Sequence, residues 1–458
     1  MAERLEECLA EWLPRQRWFA GKDRELTHVT VLADTELRPG DPSLRHLVVA
    51  AHQGHQDETA DRYQVLLGRR TVLPDRLRHV EIGQWDGGHG YDAAHDAGLT
   101  GELLERFASE AGAGRLGFHR LPPPVTTGLP SLVIGGEQSN TTLIYGEEYV
   151  CKLFRRLWPG VNPDLELTAA LAARRSRHVA RPHGWFEMPL DGEPTTLGLL
   201  QEYLRTATDG WVLAATSVRD LYASPEIPVA EAGGDFSGEA GRLGRATAEV
   251  HRDLAQAFDT GVVPGDELIE VAHGMHARLS TAVAAVPALA PYAERVGVVF
   301  DEFAKLERPL PVQRVHGDYH LGQVVRTHSG WVLLDFEGEP AKPVTERRAM
   351  SSPLRDVAGM LRSFDYAARH QLIGHPDESR LAGVARSWAA HNRDAFCAGY
   401  AEAAGGDPRE QAVALRAYEF DKAVYEVVYE ARNRPSWLRI PLDSIAALVG
   451  ADPVVESS

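Results

Sequence analysis

The 458-residue sequence predicts an α+β fold. The first half of the chain is rich in short apolar runs bounded by turn residues, and the second half has apolar residues at helical spacing. Inside the helical half lies one hairpin pattern, residues 312–340, with several polar side chains between its strands. A chain of this length can bury a large core without disulfide bonds or metal ions.

The first part of the chain is predicted to form a strand meander and a helix. Three apolar runs lie between Thr27 and Arg70, separated by Pro, Gly and Asp residues. A helix is predicted to follow over about 91–110. The segment 121–130 contains four prolines, which exclude a continuous helix, so we place the first domain boundary there. The predicted first subdomain therefore spans residues 1–125.

Two further domains follow from the same kinds of pattern. Residues 126–206 predict a strand, a glycine-containing loop, two strands joined by a tight turn, a helix that begins near Asn162 or Asp164, and two more strands. Residues 207–458 are mostly helical in pattern, apart from the hairpin. We therefore predict a small sheet domain followed by a large helical domain.

The charge and the apolar pattern exclude two classes of partner. Lys and Arg together number 48 and Asp and Glu 65, so the net charge is −17, and such a chain repels the phosphate backbone of nucleic acids. No run approaches the roughly 18 apolar residues that a membrane-spanning helix needs. The first residues lack the basic and apolar segments of a signal peptide. We therefore expect a cytoplasmic protein without a nucleic acid or membrane partner.

The hairpin pattern carries the residues best suited to chemistry. It contains HGDYHLGQ (316–323) and, after an apolar strand, LLDFE (333–337). Phosphoryl transfer needs a carboxylate that orients and deprotonates a hydroxyl, and oxygen ligands that hold Mg²⁺ on the nucleotide phosphates. Asp318 suits the first role, and Gln323 and Asp335 suit the second, at the spacing of the kinase pattern H-x-D-x-x-x-x-N followed by D-F-G. An ordinary polar hairpin with surface carboxylates is the alternative.

Three neighbouring residues are expected to support this loop rather than to react. His316 is expected to hydrogen-bond to backbone groups of the loop. Arg355 and Asp356 are predicted to form an ion pair that supports it.

A glycine-containing loop and a lysine precede the motif. The loop GGEQSN (135–140) allows backbone N–H groups to approach phosphate closely, although Gly-Gly hairpins are also common without ligands. It lacks the G-x-x-x-x-G-K-[ST] pattern, which disfavours a Walker-type NTPase. Lys152 lies in an apolar strand, where its charge needs a partner. The phosphates of ATP or the carboxylate of Glu166 would provide one, and an exposed strand edge is the alternative.

These segments resemble the aminoglycoside-phosphotransferase-like kinases and, among them, the maltokinases of actinobacteria. The resemblance covers nearly the whole chain, through WLPRQRWFAGK (12–22), KLFRRLWPGVNPDLEL (152–167), HGDYHLGQVV (316–325), LLDFEGEP (333–340), SPLRDVAGMLRSFDYAA (352–368) and DKAVYEVVYEARNRPSWLRIPL (421–442). It implies a bilobal protein-kinase-like fold, with a small β-rich N-lobe, a large mostly helical C-lobe and an N-terminal cap. It also implies that ATP and Mg²⁺ are used to phosphorylate the anomeric hydroxyl of maltose, giving α-maltose 1-phosphate for α-glucan synthesis, with trehalose synthase as a candidate partner.

The resemblance implies a role for each matching residue. Asp318 is implied as the catalytic base, and Gln323 and Asp335 as Mg²⁺ ligands. Lys152 is implied to contact the nucleotide phosphates, with Glu166 as its partner. The other implied ATP-binding residues belong to the phosphate loop and to the hinge that reads adenine: Gly136, Gln138, Ser139, Asn140, Gln201, Glu202, Tyr203 and Leu204.

A sugar site is predicted near the C-terminus. Helical spacing places Glu426, Tyr429, Glu430 and Asn433 on one face, where carboxylates can accept from sugar hydroxyls and rings can pack on sugar C–H groups. A salt-bridged surface helix is the alternative. The predicted sugar-binding residues are His320, Glu426, Tyr429, Glu430 and Arg432, and His320 would otherwise brace the catalytic loop.

Two other functions stay open at this point. One is a related kinase for another sugar, an aminosugar or an aminoglycoside, which the negative charge of the chain would attract. The other is a pseudokinase that acts as a scaffold. A scaffold is expected to have lost Asp318, Asp335 or Lys152, and all three are present.

Overall fold

The computed structural model describes residues 2–22, 24–54, 60–135, 139–232, 234–339 and 342–450. The chain divides into two compact units. The first comprises Met1–Ala169, Ala180–Arg205 and Pro340–Glu346, and the second comprises Ala170–Val179, Thr206–Glu339 and Arg347–Ser458. The first unit contains both large sheets and the second is mostly helical, which confirms the predicted α+β class.

The elements up to residue 202 build the first unit, apart from the end of the third helix, which belongs to the second. In chain order they are α1 (Ala2–Trp12), β1 (Leu26–Arg38), β2 (Ser43–Gln53), β3 (Asp61–Arg70), β4 (Glu81–Trp85), β5 (Gly88–Asp92), α2 (Ala97–Ser109), β6 (Gly117–Arg120), β7 (Ser131–Ile134), β8 (Thr141–Tyr145), β9 (Tyr149–Leu153), β10 (Arg156–Leu157), α3 (Pro163–Ala173), β11 (Pro182–Leu190) and β12 (Glu193–Glu202).

Two antiparallel sheets are formed by these strands. Within the described residues, the first has the order β1-β2-β3-β5-β4, and the second has the order β6-β11-β12-β9-β8-β7. The three strands expected between Thr27 and Arg70 are confirmed as β1, β2 and β3. The helix predicted over about 91–110 begins later, at Ala97, because β5 extends to Asp92 and the Asp96 side chain caps α2 by accepting from the N–H of Gly98.

The two sheets of the first unit share a strand connection and a core. After β9 the chain enters the first sheet as β10, where Arg156 pairs with Tyr63 of β3. One buried apolar cluster contains side chains from both sheets and from α2, among them Leu66, Phe107, Leu143, Cys151 and Phe186. The division into domains at 1–125, 126–206 and 207–458 stays a prediction.

The remaining elements are mainly helices of the second unit. In chain order they are β13 (Thr208–Asp209), α4 (Gly210–Ala223), α5 (Ser237–Ala257), β14 (Gly261–Val263), α6 (Gly265–Ala285), α7 (Ala290–Ala304), β15 (Leu310–Val312), β16 (Val324–Thr327), β17 (Gly330–Leu333), α8 (Val344–Arg347), α9 (Leu354–Arg369), α10 (Glu378–Ala404), α11 (Ala412–Asn433) and α12 (Arg439–Leu448). The hairpin predicted in the helical half is present as β16 and β17. Within the described parts of the chain, no helix combines the length and apolar character needed to cross a bilayer.

Candidate active site

The predicted site residues fall into two groups, one in each unit. The nucleotide residues, from Ser139 to Leu204, belong to the first unit, and the catalytic, metal and sugar residues, from Asp318 to Arg432, belong to the second. Two of the predicted loop residues, Gly136 and Gln138, lie outside the described residues. Asn140 is buried directly before β8, and Ser139 precedes it with partial exposure.

Lys152 forms a buried ion pair in the first unit. Its Nζ donates to Oδ2 of Asp164 at 2.9 Å, and the side chains are 8% and 0% exposed. Asp164 lies in the first turn of α3, where its N–H donates to the Asn162 side chain at 2.8 Å. An ammonium in an apolar sheet needs such a carboxylate to offset its desolvation. The sequence places Asp164 only at the start of a helix and gives no sign that it pairs with Lys152. The role of Glu166 stays a prediction.

The predicted hinge residues end β12 and enter the following loop. Gln201 and Glu202 pair with Val150 and Tyr149 of β9. The N–H of Tyr203 donates to the Glu148 carbonyl at 2.9 Å, so the segment is fixed to the β8–β9 turn beside the strand that carries the lysine.

The candidate base, Asp318, contacts a lysine that the sequence analysis missed. Oδ1 of Asp318 accepts from Nζ of Lys422 on α11 at 2.9 Å. Burial by itself would raise the pKa of Asp318, but the charge of Lys422 and its hydrogen bond hold this pKa well below its usual value. Asp318 is therefore held as a carboxylate, the form that a general base requires.

Lys422 belongs to a row of ionisable residues on α11. Burial lowers its pKa, but the carboxylates of Asp318, Glu339 and Glu426 outweigh burial and raise it, so the side chain is an ammonium. Lys422, Glu426 and Glu430 recur every four residues and so share one face of α11. This spacing could have identified Lys422 from the sequence, because Lys422 lies one helical turn before Glu426 on the predicted sugar-site face.

Asp356 at the start of α9 fixes the loop that contains Asp318. Its two carboxylate oxygens accept from the N–H groups of His316 at 2.8 Å and Gly317 at 2.9 Å, and it also hydrogen-bonds to Nε2 of His251 at 3.0 Å. The predicted support of the loop by Asp356 is thus direct. The predicted partner is wrong: Arg355 donates to Glu339 at 2.8 Å, because consecutive helical residues point about 100° apart.

The loop is also fixed through its first histidine and through α9. Nε2 of His316 donates to the carbonyl of Leu334 at 2.8 Å, which confirms the expected backbone hydrogen bond. A Cβ placed on Gly359 of α9 would lie 2.5 Å from the carbonyl oxygen of Tyr319, so only glycine permits this close approach.

The predicted metal ligands flank the hairpin, because Gln323 directly precedes β16 and Asp335 comes after β17. Nε2 of Gln323 donates to Oδ2 of Asp335 at 3.2 Å. Asp335 has a φ of 63°, a left-handed conformation that Asp adopts more readily than most residues. A carboxylate oxygen of Glu337 lies within 4.8 Å of one of Asp335, which adds a third oxygen donor that the sequence analysis did not assign.

This donor set fits a magnesium ion. Carboxylate and amide oxygens are the hard ligands that Mg²⁺ prefers, together with phosphate oxygens and water. Gln323 would join these ligands with its side-chain amide flipped, so that Oε1 rather than Nε2 faces Asp335. The two amide orientations have nearly the same shape. Asp335, Glu337 and Gln323 are therefore the residues that would hold the ion.

The two glutamates of the predicted sugar face are each paired with an arginine. Oε2 of Glu426 accepts from Nε and a terminal nitrogen of Arg362 at 3.0 and 2.7 Å. Glu430 accepts from Arg434 at 2.9 and 2.6 Å. Burial raises the pKa of both carboxyls, and the arginines offset part of this rise.

The other predicted sugar residues differ in their placement. His320 caps a short turn, because its Nδ1 accepts from the N–H of Gly322 at 3.1 Å; burial lowers the pKa of His320, so it is neutral with a proton on Nε2. The ring of Tyr429 stacks on that of Tyr425 at 6.2 Å between centroids. Arg432 is exposed, and helical spacing places it on a different face from Glu426.

The chain is similar to known kinases along its length. Residues 12–96 match the family described as the maltokinase N-terminal cap domain. The chain is 30% identical to the glucosamine kinase of Streptacidiphilus jiangxiensis over 365 residues, which are 77% of this chain and 80% of that protein. It is 27% identical to the glucosamine kinase of Mycolicibacterium smegmatis over 417 residues, 85% of this chain and 98% of that protein.

Solved structures of such kinases share the fold. A glucosamine kinase in complex with glucosamine, ADP and inorganic phosphate has a TM-score of 0.69 at 25% identity, over 92% of this chain and 93% of that one. A second crystal form of glucosamine kinase has a TM-score of 0.71 over 97% and 99% of the two chains, also at 25% identity. The resemblance inferred from the motifs is thereby confirmed, as is the kinase-like fold with its cap. The chain therefore belongs to the same kinase family as the glucosamine kinases, and its residues 12–96 form a maltokinase-type N-terminal cap domain.

Proposed function

We propose that this protein is an ATP-dependent sugar kinase with Asp318 as its base. The observation that carries the proposal is the ion pair of Asp318 with Lys422, in a loop that Asp356 fixes through two backbone N–H groups. The pair keeps the carboxylate ionised, and the loop holds it in one place. Asp335, Glu337 and Gln323 supply the donors for a metal-bound nucleotide in the same unit.

The proposed reaction is a single displacement at the γ-phosphorus of ATP. Asp318 accepts a hydrogen bond from a sugar hydroxyl, aims its oxygen at the phosphorus, and takes the proton as the new P–O bond forms and the bond to ADP breaks. When bound, Mg²⁺ neutralises charge on the phosphate oxygens. Lys152, kept in place by Asp164, is proposed to contact the phosphates, and the hinge backbone at 201–204 is proposed to read the adenine.

We propose maltose as the substrate, phosphorylated on its anomeric hydroxyl. The candidate base and the two carboxylates of the predicted sugar face already have cationic partners: Asp318 has Lys422, Glu426 has Arg362 and Glu430 has Arg434. A neutral sugar can bind to these pairs through hydroxyls without leaving a charge uncompensated, whereas an ammonium would have to displace one of the built-in cations. The cap match over residues 12–96 supports the same choice. The product would be α-maltose 1-phosphate, a donor for α-glucan synthesis, and trehalose synthase stays a candidate partner.

Glucosamine is the second candidate, because proteins named glucosamine kinase match this chain over most of its length. Its amine can hydrogen-bond to the same carboxylates. The two candidates differ in the charge of the substrate.

The test is ADP release with Mg²⁺, ATP and either maltose, glucose or glucosamine, followed by NMR identification of the product. We expect the highest kcat/KM with maltose and a phosphate on its anomeric carbon. Preference for glucosamine would replace maltose with the second candidate. No ADP release with any sugar, at a level equal to that of Asp318→Asn, would instead support a scaffold.

A further inference from the structure

We infer that the N-terminal cap positions the nucleotide-binding strands of the first unit, through a buried network of Asp92, Arg155 and Thr141. This network is called the Arg155 network below. The inference rests on the proposed use of ATP, because it assigns the cap a part in binding that nucleotide. It also gives a role to cap residues that supply no acid or base to the reaction.

Arg155 links the cap to the second sheet. A terminal nitrogen of Arg155 donates to Oδ2 of Asp92 at the end of β5, at 2.5 Å. Its Nε donates to the hydroxyl of Thr141, the first residue of β8, at 2.7 Å. The residue is 1% exposed, so each of these hydrogen bonds is shielded from water.

The cap builds most of the surroundings of this guanidinium. The ring of Trp18, from the segment WLPRQRWFAGK, lies 4.9 Å from Cζ of Arg155, within cation–π distance. Asp92 is itself fixed, since its other oxygen accepts from the N–H of Ala94 at 3.1 Å. A buried guanidinium is stable only when its donors and charge are matched, and here the cap provides the matching carboxylate.

Thr141 connects the network to the proposed nucleotide site. It follows Ser139 and Asn140, the described end of the predicted phosphate loop. In the β8–β9 ladder, Thr141 pairs with Leu153 and Thr142 pairs with Lys152. Thr141, whose hydroxyl accepts from Arg155, therefore lies between Asn140 at the end of the loop and Thr142, which pairs with Lys152. A shift of Thr141 would move both.

A second cap residue, Gln64, hydrogen-bonds to the chain after β9 and to β12. The side-chain amide of Gln64 on β3 donates to the carbonyl of Phe154 at 2.9 Å and to the carbonyl of Leu197, and its backbone N–H donates to the carbonyl of Arg155 at 2.9 Å. Buried carbonyls left without such donors would be costly. The cap thus completes the hydrogen bonding of the chain that follows the Lys152 strand.

Another ion pair between the same sheets supplies a matched control. Arg62 of β3 donates to both oxygens of Asp191 at 2.6 and 3.0 Å, in the turn between β11 and β12. Asp191 is exposed and Arg62 is partly exposed, and within the described residues neither side chain forms a hydrogen bond or ion pair with β8 or β9. Loss of this pair should loosen the cap without moving Thr141.

The experiment compares four variants of the full-length protein by calorimetric binding of MgATP. Thr141→Val removes the hydroxyl at nearly constant volume, and Thr141→Ser restores it. Asp92→Asn removes the charge from the cap side, and Asp191→Ala is the control. We expect Thr141→Val to weaken MgATP binding by about tenfold or more, the scale of one buried hydrogen bond to a charged group. Asp92→Asn should act in the same direction, and Thr141→Ser and Asp191→Ala should stay within about twofold of wild type.

Two further readouts separate positioning from general loss of structure. Sugar KM should be unchanged in Thr141→Val, and amide hydrogen exchange should accelerate in residues 139–145. Folded Thr141→Val and Asp92→Asn proteins that bind MgATP as wild type does would overturn this inference alone. An equal weakening in Asp191→Ala would also overturn it, since any cap contact would then suffice. Absence of MgATP binding in wild type would overturn the proposed function, and this inference with it.

Discussion

Nζ of Lys422 lies 2.9 Å from Oδ1 of Asp318, so the cation that keeps the candidate base ionised comes from the helix predicted to bind the sugar. This ammonium donates a hydrogen bond to one oxygen of the carboxylate. α11 therefore carries both this cation and Glu426 and Glu430 of the predicted sugar face.

Replacement of Lys422 by Met should shift the acid limb of the pH–rate profile upward. In wild type the pKa of Asp318 lies well below its usual value, so activity should not fall until the pH is strongly acidic. Without the ammonium, burial is no longer outweighed and the pKa rises. The base then becomes protonated, and kcat/KM falls, at a higher pH than in wild type. Lys422→Arg keeps the charge and is the control; an acid limb in the same place for Lys422→Met would contradict the role of Lys422.

Asp335→Ala should lose Mg²⁺-dependent nucleotide binding as well as turnover. Asp335 lies two residues after the end of β17, and one of its carboxylate oxygens lies within 4.8 Å of a Glu337 oxygen, so its loss removes one donor of a clustered set. Calorimetry with ATP should show a large loss of affinity in the presence of Mg²⁺ and equal, weak binding by both proteins with EDTA. Glu337→Gln keeps one oxygen, so its affinity for MgATP should lie between those of wild type and Asp335→Ala. Unchanged MgATP affinity in Asp335→Ala would remove the metal-ligand assignment.

The candidate catalytic and metal-binding residues could be proposed from the sequence because they are close together along the chain. Asp318, Gln323 and Asp335 keep a fixed spacing around one hairpin, and the strands β1 to β3 follow from apolar runs that need no tertiary information. Lys422 lies 104 residues from Asp318, so the motif itself gave no sign of it.

Buried partners on distant strands were equally hidden. Arg155 and Asp92 are 63 residues apart, and neither belongs to a motif with a known spacing. Asp164 does stand out in the sequence, but an Asp at the start of a helix is explained by helix capping and does not by itself predict a pair with Lys152. Such pairs are selected by the packing of whole elements, which a single sequence does not encode in a local pattern.

Asp356→Asn should destabilise the fold at neutral pH and much less in acid. The buried carboxylate has a lowered pKa, since its hydrogen bond and charge interaction with His251 outweigh burial. A carboxyl with a lower pKa in the folded than in the unfolded chain stabilises the fold above its unfolded pKa of about 3.9, and loses this contribution as the pH falls toward the folded pKa. We expect a loss of about 1–3 kcal/mol at pH 7, from denaturant unfolding. An equal loss at pH 3 would show that charge plays no part.

Glu430→Ala should weaken the sugar and leave the nucleotide almost unaffected. Glu430 is buried on the face of α11 that also carries Glu426 and Lys422, so a sugar hydroxyl that donates to it would meet a carboxylate shielded from water. Losing a hydrogen bond to a charged group costs about 1.5–3 kcal/mol, which corresponds to a rise in sugar KM of roughly 10- to 150-fold. The KM for ATP should stay within about twofold, because the predicted nucleotide residues belong to the first unit.

The matched control for Glu430 is Glu402→Ala. Glu402 is also a helical glutamate of the second unit that pairs with an arginine, Arg245, but its side chain is 62% exposed. Its removal should change neither KM. Steady-state kinetics with each substrate varied in turn distinguishes the outcomes. If Glu430→Ala raised the KM for ATP and left that for the sugar unchanged, α11 would not be the sugar site. The arginine-paired carboxylates Glu426 and Glu430 would then not face the substrate and would not favour a neutral sugar. Support for maltose would be limited to the cap and the motifs.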